Sequence, residues 1–345
     1  MTQFDPNAAA ASDGIYGLPF TAEEAHVILV PVPFEATTSY GGGTSDGPRA
    51  ILAASRQVDL FDIEFGRPYE AGICMLPETA AVRSLNDEAR RLVRRWRDQH
   101  SLALDDATLV ADQEQVNAIC DQLNAALCSQ VESLHARDKL VGTIGGDHGA
   151  VFGAIAAHAE RFPGLGILHF DAHADLRHEY EGFTWSHASI MNNVVRRLQG
   201  VTTLVQVGIR DLCEEEHELI RDSGGRIRTW FDADLDRERF EGMTWGQQAK
   251  QIVEALPEQV YVSFDVDGLD PTLCPHTGTP VPGGLSFQQA TYLLGTLARS
   301  GRRIVGFDLV EVAPNPDGGE WDANVGARLL YKLIGAALAS QNIST

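Results

Sequence analysis

Short apolar runs alternate with longer stretches of helical period along most of the chain. Six apolar runs have the length and composition of strands; they cover residues 26–32, 139–144, 165–170, 203–208, 259–264 and 303–309. Stretches of helical period lie between the later runs, at residues 150–161, 186–198, 214–222, 245–255 and 286–300, and a last one lies near 323–339. Strands that alternate with helices of this length are typical of right-handed βαβ units. The pattern predicts an α/β fold with a mainly parallel central sheet.

The region before residue 139 is less regular. Residues 86–135 have helical character, and a glycine-rich loop at 34–48 can adopt positive φ angles. Residues 1–21 are rich in Ala, Asp and Gly and lack periodicity, which predicts a mobile or interface-docked N-terminal tail. The rest contains no linker, low-complexity tract or internal repeat. We therefore expect a single domain over residues 22–345 after this tail.

Strings of metal-binding residue types follow three of the predicted strands. They are Gly-Gly-Asp-His, which ends at His148, Asp-Ala-His-Ala-Asp at 171–175, and Asp-Val-Asp at 265–267. The carboxyl ends of strands are where an open α/β sheet gathers its catalytic groups. The candidate ligands are His148, Asp171, His173, Asp175, Asp265 and Asp267. Four carboxylates and two imidazoles exceed the four ligands of an ordinary zinc site and suit two divalent ions, Mn²⁺ first, that share bridging carboxylates.

Each string alone has a structural alternative. A strand-end aspartate is often the N-cap of the following helix, because its carboxylate accepts free backbone N–H groups. In the middle string, however, Asp171, His173 and Asp175 alternate, so an extended segment points all three to one side. All three strings also stand at strand ends. Their conjunction favours metal binding over capping and predicts a binuclear metal hydrolase.

Two residues outside the strings are further candidates. His187 begins the predicted helix at 186–198, and it would either shuttle protons at the rim of the site or serve as a cap or packing residue. Glu311 follows the last predicted strand, and it would either pair bidentately with a planar guanidinium or remain a solvated residue at the strand exit. Position alone does not decide between these roles.

Four other polar residues lie inside predicted elements. We expect His169 to pack in the core or to support a ligand, and Asp308 to be a buried hydrogen-bond acceptor behind the ligands. His158 and His217 lie in predicted helices, and we expect both at the surface.

The composition limits the partners. A formal net charge of −21 over 345 residues argues against a nucleic-acid partner, whose phosphates would be repelled. The same charge would attract a small cationic substrate, although solubility explains it equally well. The five cysteines are scattered and form no C-x-x-C pair, which argues against a disulfide framework or a zinc ribbon. No run of about 18 apolar residues occurs. We expect a cytoplasmic protein without a membrane partner.

Four strings together resemble the ureohydrolases, the arginase and agmatinase family. They are GGDH at 145–148, DAHAD at 171–175, SFDVDGLDP at 263–271 and FDLVEVAP at 307–314, and the resemblance covers nearly the whole chain from about Val27. It implies a three-layer α/β/α fold, the arginase-like fold, around a central parallel sheet. It also implies a homo-oligomer, a trimer or a hexamer, and hydrolysis of a guanidino compound to urea and an amine.

The resemblance implies roles for individual residues. One Mn²⁺ would be held by His148, Asp171, Asp175 and Asp265, and the other by His173, Asp171, Asp265 and Asp267. Asp171 and Asp265 would therefore bridge the two ions, and Ni²⁺ is the alternative metal. His187 would match the cavity histidine of the family, and Glu311 its guanidinium-binding glutamate. Asp175 would pass a proton to the departing amine.

The loop after the middle string concerns the substrate. The segment 176–182 resembles that of bacterial agmatinases and argues against an arginase. Arg177 is the candidate substrate-binding residue of this loop. It disfavours a dicationic substrate unless Glu179 or Glu181 neutralises it, and it would favour a guanidino acid if it points inward. Gly149 stands where the family commonly has Ser, so a hydrogen bond behind the ligands is expected to be missing.

The resemblance leads us to expect conversion of agmatine to urea and putrescine. Alternative substrates are guanidine or an alkylated guanidine, a guanidino acid, or arginine. A non-catalytic ureohydrolase-like subunit is a further alternative, against which the complete ligand set argues. A single-zinc deacetylase shares the general architecture, but it would not need His148 and Asp267.

Overall fold

The computed structural model describes residues 4–10, 12–98 and 106–343. Within these residues the strands form one sheet of eight, all parallel, in the order β2-β1-β3-β8-β7-β4-β5-β6. The strands are β1 (Val27–Val32), β2 (Ile73–Met75), β3 (Leu140–Gly145), β4 (Leu165–Phe170), β5 (Val201–Ile209), β6 (Ile227–Phe231), β7 (Gln259–Asp265) and β8 (Arg303–Val310). The α-helices are α1 (Gly47–Ala54), α2 (Ala80–Arg97), α3 (Asp106–His135), α4 (Phe152–Arg161), α5 (Ile190–Arg197), α6 (Glu214–Asp222), α7 (Asp232–Phe240), α8 (Trp245–Glu254), α9 (Phe287–Ala298) and α10 (Trp321–Ser340).

Helices cover both faces of the sheet, so the architecture has three layers. One face packs against α1, α8, α9 and α10 through a core that includes Ile51, Leu293 and Leu330. The other face packs against α2, α3, α4 and α5 through a core that includes Leu92 and Ile155. The strands β3 and β4 are buried along their whole length, as expected for apolar runs between two helical layers. The predicted α/β/α fold is confirmed.

Side-chain caps begin two of these helices at positions that the sequence marks. Ser286 and Gln289 form a reciprocal capping box before α9, and Thr244 and Gln247 form another before α8. In each box the two side chains satisfy amides that the helix itself leaves free. In the part of the chain that the structure describes, no helix combines the length and the apolarity needed to cross a bilayer.

The strands β2 and β6 and the helix α7, all at the margins of the sheet, were not predicted. The edge strand β2 has only three residues, and the edge strand β6 carries Arg228 and Thr229 among its apolar residues, so neither has a clear strand pattern. The short helix α7 between β6 and α8 is mostly polar and was also not predicted. Strand β1 continues through Pro31, because β2 pairs only with Val27, Ile28 and Leu29 and leaves that side of Pro31 uncovered.

The N-terminal segment packs into the core near α10. Ile15, Tyr16 and Leu18 are buried, and the hydroxyl of Tyr16 donates a hydrogen bond of 3.0 Å to the carbonyl oxygen of Ala327. The amide of Tyr16 donates to the hydroxyl of Ser55 at 2.9 Å. The expectation of a mobile or interface-docked tail is therefore wrong for residues 15–18, because their apolar side chains complete the core. The division into a tail and one domain otherwise stays a prediction.

Four adjacent strands carry the candidate site residues at their carboxyl ends. β3, β8, β7 and β4 are neighbours in that order in the middle of the sheet. Because the strands are parallel, all four carboxyl ends lie at the same edge, where α/β sheets hold their active sites. Residues as far apart in sequence as His148 and Glu311, separated by 163 positions, therefore come into contact.

Candidate metal centre

All six predicted ligands converge at this edge. His148 lies in the 3-10 turn after β3, Asp265 ends β7, and Asp267 lies in the 3-10 turn after it. The remaining three follow β4; they are Asp171, His173 and Asp175. The four carboxylates and His148 are buried, whereas the side chain of His173 is 25% exposed.

The first group of donors surrounds Nδ1 of His148. Oδ2 of Asp171 and Oδ2 of Asp175 each lie 3.0 Å from this nitrogen, and Oδ2 of Asp265 lies 3.5 Å from it. Three carboxylate oxygens therefore face one imidazole nitrogen within a buried volume.

The second group surrounds Nδ1 of His173. Oδ2 of Asp267 lies 3.0 Å from it, and Oδ1 of Asp171 lies 3.4 Å from it. Asp171 thus directs one oxygen to each histidine, which is the arrangement of a carboxylate shared between two sites. The donor atoms of Asp171, His173 and Asp267 all lie within 4.8 Å of one another, as do those of His148, His169, Asp171 and Asp175.

A buried relay orients His148. The hydroxyl of Ser263 donates to the carboxylate of Asp308 at 3.0 and 3.1 Å, and Nε2 of His148 lies 2.9 Å from the same hydroxyl. Because Ser263 gives its proton to Asp308, Nε2 of His148 must be the donor in the second bond. Nδ1 then carries the lone pair and presents it to the carboxylates, as a metal ligand does. The expected role of Asp308 as a buried acceptor agrees with this geometry.

His169 supports Asp171 in a similar way. The side-chain amide of Gln206 donates to Nδ1 of His169 at 3.0 Å, so Nε2 carries the proton and donates to Oδ2 of Asp171 at 2.8 Å. His169 is fully buried within β4. It therefore both packs in the core and supports a candidate ligand.

The strand-end carboxylates also accept backbone bonds, as the capping alternative predicts. The amide of Asp267 donates to Oδ1 of Asp265 at 2.8 Å, and the amide of Ala172 donates to Oδ1 of Asp267 at 2.9 Å. In both residues, however, Oδ2 points to a histidine of the cluster. Capping with one oxygen thus fixes the direction of the other, and the two interpretations are compatible.

The cluster gathers more buried negative charge than its own histidines can neutralise. Burial and the neighbouring Asp267 and Asp171 raise the pKa of Asp265 well above its usual range, and burial and Asp171 raise the pKa of Asp175 to about 7. Although burial alone would lower it, Asp267 and Asp171 raise the pKa of His173 to about 12. Even if both histidines were protonated, two positive charges would face four carboxylates in a buried site. Carboxylate oxygens with two imidazole nitrogens are a donor set that divalent cations fit.

Glu311 stands beside the cluster with one oxygen uncommitted. Its Oε1 accepts the amide of His148 at 3.0 Å, whereas its buried Oε2 has no hydrogen-bond partner among the described residues. The backbone of Glu311 has a φ of +63° and is held by Thr277, whose hydroxyl donates to the Glu311 carbonyl at 2.8 Å. Burial and Asp147 raise the pKa of Glu311 well above its usual range. The solvated alternative is wrong, since this carboxylate is buried and oriented.

His187 faces the cavity with both ring nitrogens near hydroxyls. Nε2 lies 3.3 Å from Oγ of Ser39, and Nδ1 lies 3.3 Å from Oγ of Ser186. Burial, together with the positive charges of His173 and Arg97, lowers the pKa of His187 to about 3. The capping role falls to Ser186, whose hydroxyl accepts the amide at position 188. His187 therefore remains a neutral imidazole in the cavity wall.

A cavity of about 170 Å³ opens above the cluster. Its wall includes His173, Asp175, Arg177, His187, Ser39, Tyr180, Asp211, Glu216 and Thr279. Nε of Arg177 lies 3.8 Å from Oε2 of Glu216, and its guanidinium lies over the ring of Tyr180 at 5.1 Å. Glu179 is exposed, and Glu181 pairs with Arg97. Neither Glu179 nor Glu181 pairs with Arg177 among the described residues, and the carboxylate beside Arg177 is that of Glu216.

Comparison with known proteins identifies the group to which this architecture belongs. A family model described as the arginase family matches residues 25–335. The chain belongs to the arginase family. It is similar to the N(1)-aminopropylagmatine ureohydrolase of Thermus thermophilus, at 35% identity over 315 residues that cover 91% of this chain and 90% of the relative.

A further relative and a solved structure are also similar to the chain. The agmatinase of Bacillus subtilis is 29% identical over 322 residues, which cover 90% of this chain and 92% of that one. The fold is similar to the crystal structure of agmatine ureohydrolase from Thermoplasma volcanium, with a TM-score of 0.72, 22% identity and 95% coverage of both chains. The resemblance noted from the four strings is confirmed, and the chain is an arginase-family ureohydrolase, a hydrolase of guanidino C–N bonds.

The packing around Gly149 explains why this position holds a glycine and not the serine that is common in the family. A Cβ at this position would lie 2.8 Å from the carbonyl oxygen of Trp185 and 3.1 Å from the amide of His187. The segment that carries His187 therefore packs directly on the Gly149 backbone, and a Ser there would displace it. The missing hydrogen bond stays a prediction.

Several residues of the candidate site were not predicted from the sequence. Ser263 had a usable signal, because alternation along β7 places it on the same face as Asp265. Ser39 and Asp211 had none, since both reach the cavity through loop geometry that periodicity does not describe, and Glu216 reaches it through the packing of α6. His158, expected at the surface, is fully buried against Tyr261, whereas His217 is exposed as predicted.

Proposed function

We propose that the protein hydrolyses agmatine, or an agmatine extended by an alkylamine, to urea and the corresponding amine. The observation that carries the proposal is the buried Oε2 of Glu311, an unpaired carboxylate oxygen beside the His/Asp cluster. A planar guanidinium is the cation that such a carboxylate binds best, through paired charge-assisted hydrogen bonds. The names of the Thermus and Bacillus relatives, an aminopropylagmatine ureohydrolase and an agmatinase, support the same substrate class.

Two divalent ions would occupy the cluster. We assign one to His148, Asp171, Asp175 and Asp265, and the other to His173, Asp171, Asp265 and Asp267. Mn²⁺ is the first choice and Ni²⁺ the second, because both accept mixed carboxylate and imidazole donors. When bound, the pair supplies Lewis acidity and lowers the pKa of water, which a resonance-stabilised guanidinium carbon requires of its nucleophile.

The side chains supply orientation and proton transfer. Glu311 would hold the guanidinium through Oε2 while the His148 amide fixes Oε1, so that the carbon is presented to the cluster in one orientation. Asp175, which lines the cavity, would carry a proton to the departing amine nitrogen. His187, a neutral imidazole between two hydroxyls, would relay protons between the cavity and bulk water by accepting a proton at one ring nitrogen as it releases one from the other.

The outer wall favours a substrate with a second cation. Asp211 lines the cavity, and its carboxylate forms no ion pair with any described residue. Arg177, the cation of the wall, already lies near Glu216. A carboxylate without a counterion suits the distal ammonium of agmatine and repels the carboxylate of arginine.

A guanidino acid is the second candidate, and Arg177 is the observation that favours it. The side chain is 37% exposed and lines the cavity, and its contact with Glu216 is a long one of 3.8 Å. A carboxylate tail of the right length would offer Arg177 a closer, bidentate partner.

Urea release by the metal-loaded protein distinguishes these substrates. Purified protein loaded with Mn²⁺ or Ni²⁺ would be assayed with agmatine, aminopropylagmatine, 4-guanidinobutyrate, arginine and guanidine. We expect the highest kcat/KM with the first two. The highest value with 4-guanidinobutyrate would instead support the guanidino acid, and no urea from any compound would refute the proposal. Asp265→Ala and Asp267→Ala are the controls, and both should lose turnover and bound metal.

The proposal extends to the number of subunits and the cellular compartment. We expect a trimer or a hexamer in the cytoplasm, with no nucleic-acid partner. Light scattering of the purified protein measures the subunit number directly.

A further inference from the structure

Two loop segments contribute residues to the cavity wall and contact each other at His187. Residues 37–39, the first rim segment, include Ser39 of the cavity wall, and residues 180–187, the second rim segment, include Tyr180 and His187. They belong to loops after β1 and β4, which are not neighbouring strands. The sheet therefore does not set their separation directly.

One side chain joins the two segments. Arg97, the last residue of α2, donates from Nη1 to the carbonyl of Thr38 at 2.7 Å and from Nη2 to the carbonyl of Thr37 at 3.0 Å. Its Nε and Nη2 donate to Oε2 of Glu181 at 2.9 and 2.7 Å. Three nitrogens of one planar guanidinium thus hold two carbonyls of the first segment and a carboxylate of the second.

The joined segments converge on His187. The amide of His187 donates to the hydroxyl of Thr37 at 3.3 Å, and its Nε2 lies 3.3 Å from Oγ of Ser39. A catalytic-site histidine on the second segment therefore takes its position from the first. Any change in the distance between the segments would move this ring.

Both segments adjoin or contain backbone in the left-handed region. Gly41, Gly42 and Gly43 follow the first segment with φ angles of +33°, +159° and +100°, and Glu181 itself has a φ of +54°. Within the second segment Tyr180 and Phe183 exchange backbone hydrogen bonds of 3.2 and 2.9 Å. These bonds shape that segment itself, but they do not connect it to the first one. The carbonyl of Glu181 is held by Gln113 of α3 at 3.1 Å, which leaves its carboxylate free for Arg97.

We propose that Arg97 is a positioning residue that joins the two rim segments through Thr37, Thr38 and Glu181 and thereby sets the cavity mouth and His187. Its effect on turnover rests on the proposed function, whereas its effect on the segments does not. A lysine cannot replace it, because one ammonium group does not reach all three acceptors in the geometry of a planar fork.

Arg83 provides a matched control on the same helix. Its Nε and Nη2 donate to a single carboxylate oxygen, Oε2 of Glu78, at 3.0 and 2.7 Å. Its side-chain exposure is 26%, against 28% for Arg97. Its Nη1 also donates to Oδ1 of Asp46 at 3.0 Å. Arg83 therefore forms forked and bridging ion pairs, as Arg97 does, but contacts neither rim segment, so it separates a general loss of ion pairs from a loss of positioning.

The test compares Arg97→Ala, Arg97→Lys, Glu181→Gln and Arg83→Ala. Hydrogen exchange should become faster in residues 37–39 and 180–187 of Arg97→Ala, and kcat/KM should fall about 10- to 100-fold, chiefly through KM, with bound metal unchanged. Arg97→Lys should recover only part of this loss, and Glu181→Gln, which keeps an acceptor oxygen, should lose less. Arg83→Ala should change neither KM nor exchange in these segments.

Unchanged exchange and KM in Arg97→Ala would overturn the proposal, as would equal changes in Arg83→Ala. If Arg97→Ala does not fold, the same comparison applies to Arg97→Lys, for which wild-type exchange and KM would be the contrary result. If the wild-type protein releases no urea, the proposed function fails, and the exchange measurement still decides whether Arg97 holds the rim segments.

Discussion

Ser263 offers the sharpest test of how the cluster is oriented. Its hydroxyl donates to Asp308 and accepts from Nε2 of His148, and all three residues are buried. The substitution Ser263→Ala removes one oxygen atom and leaves the Nε2 proton without an acceptor. The imidazole then loses the bond that directs Nδ1 at Asp171 and Asp175.

The magnitude follows from the bonds that remain. Leaving a buried donor or acceptor unpaired costs about 1–3 kcal/mol. Asp308 keeps the amide of Phe264 at 3.2 Å, so the main loss falls on His148. A cost of about 1.4–2.7 kcal/mol corresponds to about 10- to 100-fold weaker metal binding. Loss of groups that orient metal-bound histidines typically has an effect of this size.

Metal affinity is measured by competition with a chelator of known affinity, with metal content and kcat/KM recorded on the same samples. Ser189→Ala is the control, because Ser189 is equally buried but its hydroxyl has no hydrogen-bond partner among the described residues. Ser189→Ala should bind metal like the wild type. Wild-type affinity in Ser263→Ala, or an equal loss in both variants, would refute the relay.

Three further predictions concern other parts of the account. Glu311→Gln should lower kcat/KM by about 10- to 100-fold with metal content unchanged, and loss of metal would contradict this. The free energy of unfolding of this variant should not fall, because the substitution removes a buried charge. Asp211→Asn should raise KM for agmatine but not for guanidine, and equal effects on both would exclude a distal ammonium site. Burial lowers the pKa of His158 to about 3, so at mildly acidic pH the unfolded chain binds a proton that the folded chain does not. The free energy of unfolding should therefore fall as pH drops below about 6.5, by about 2 kcal/mol between pH 7 and pH 5. Urea unfolding of His158→Gln should lack this part of the pH dependence, whereas His217→Gln should retain it.

The regular interior of the fold was predictable because burial on both faces leaves a strong pattern. The strand Leu165–Phe170, which is buried along its whole length, has the predicted bounds. The edge strands β2 and β6 lack such a pattern, since one face or one side of each is not covered. The environment of His158 was wrongly predicted for a related reason. A helix that packs against a sheet can bury a polar ring, and the sequence does not state which neighbour it meets.

The site was predictable where single strings carry several donors. Asp171 and Asp265 could be placed because each follows a recognisable strand at the same sheet edge. The partner of Arg177 could not, because Glu216 lies 39 positions away and reaches it only through the packing of α6. Contacts of this kind depend on tertiary geometry, which periodicity and spacing do not encode.

The central claim is that two divalent ions share this cluster. Anomalous scattering from crystals grown with Mn²⁺ tests it most directly. We predict two peaks per subunit about 3.5–4 Å apart, one in contact with His148 and the other with His173, both touching Asp171. A single peak, or two peaks without His148 or Asp267 among their ligands, would contradict the account.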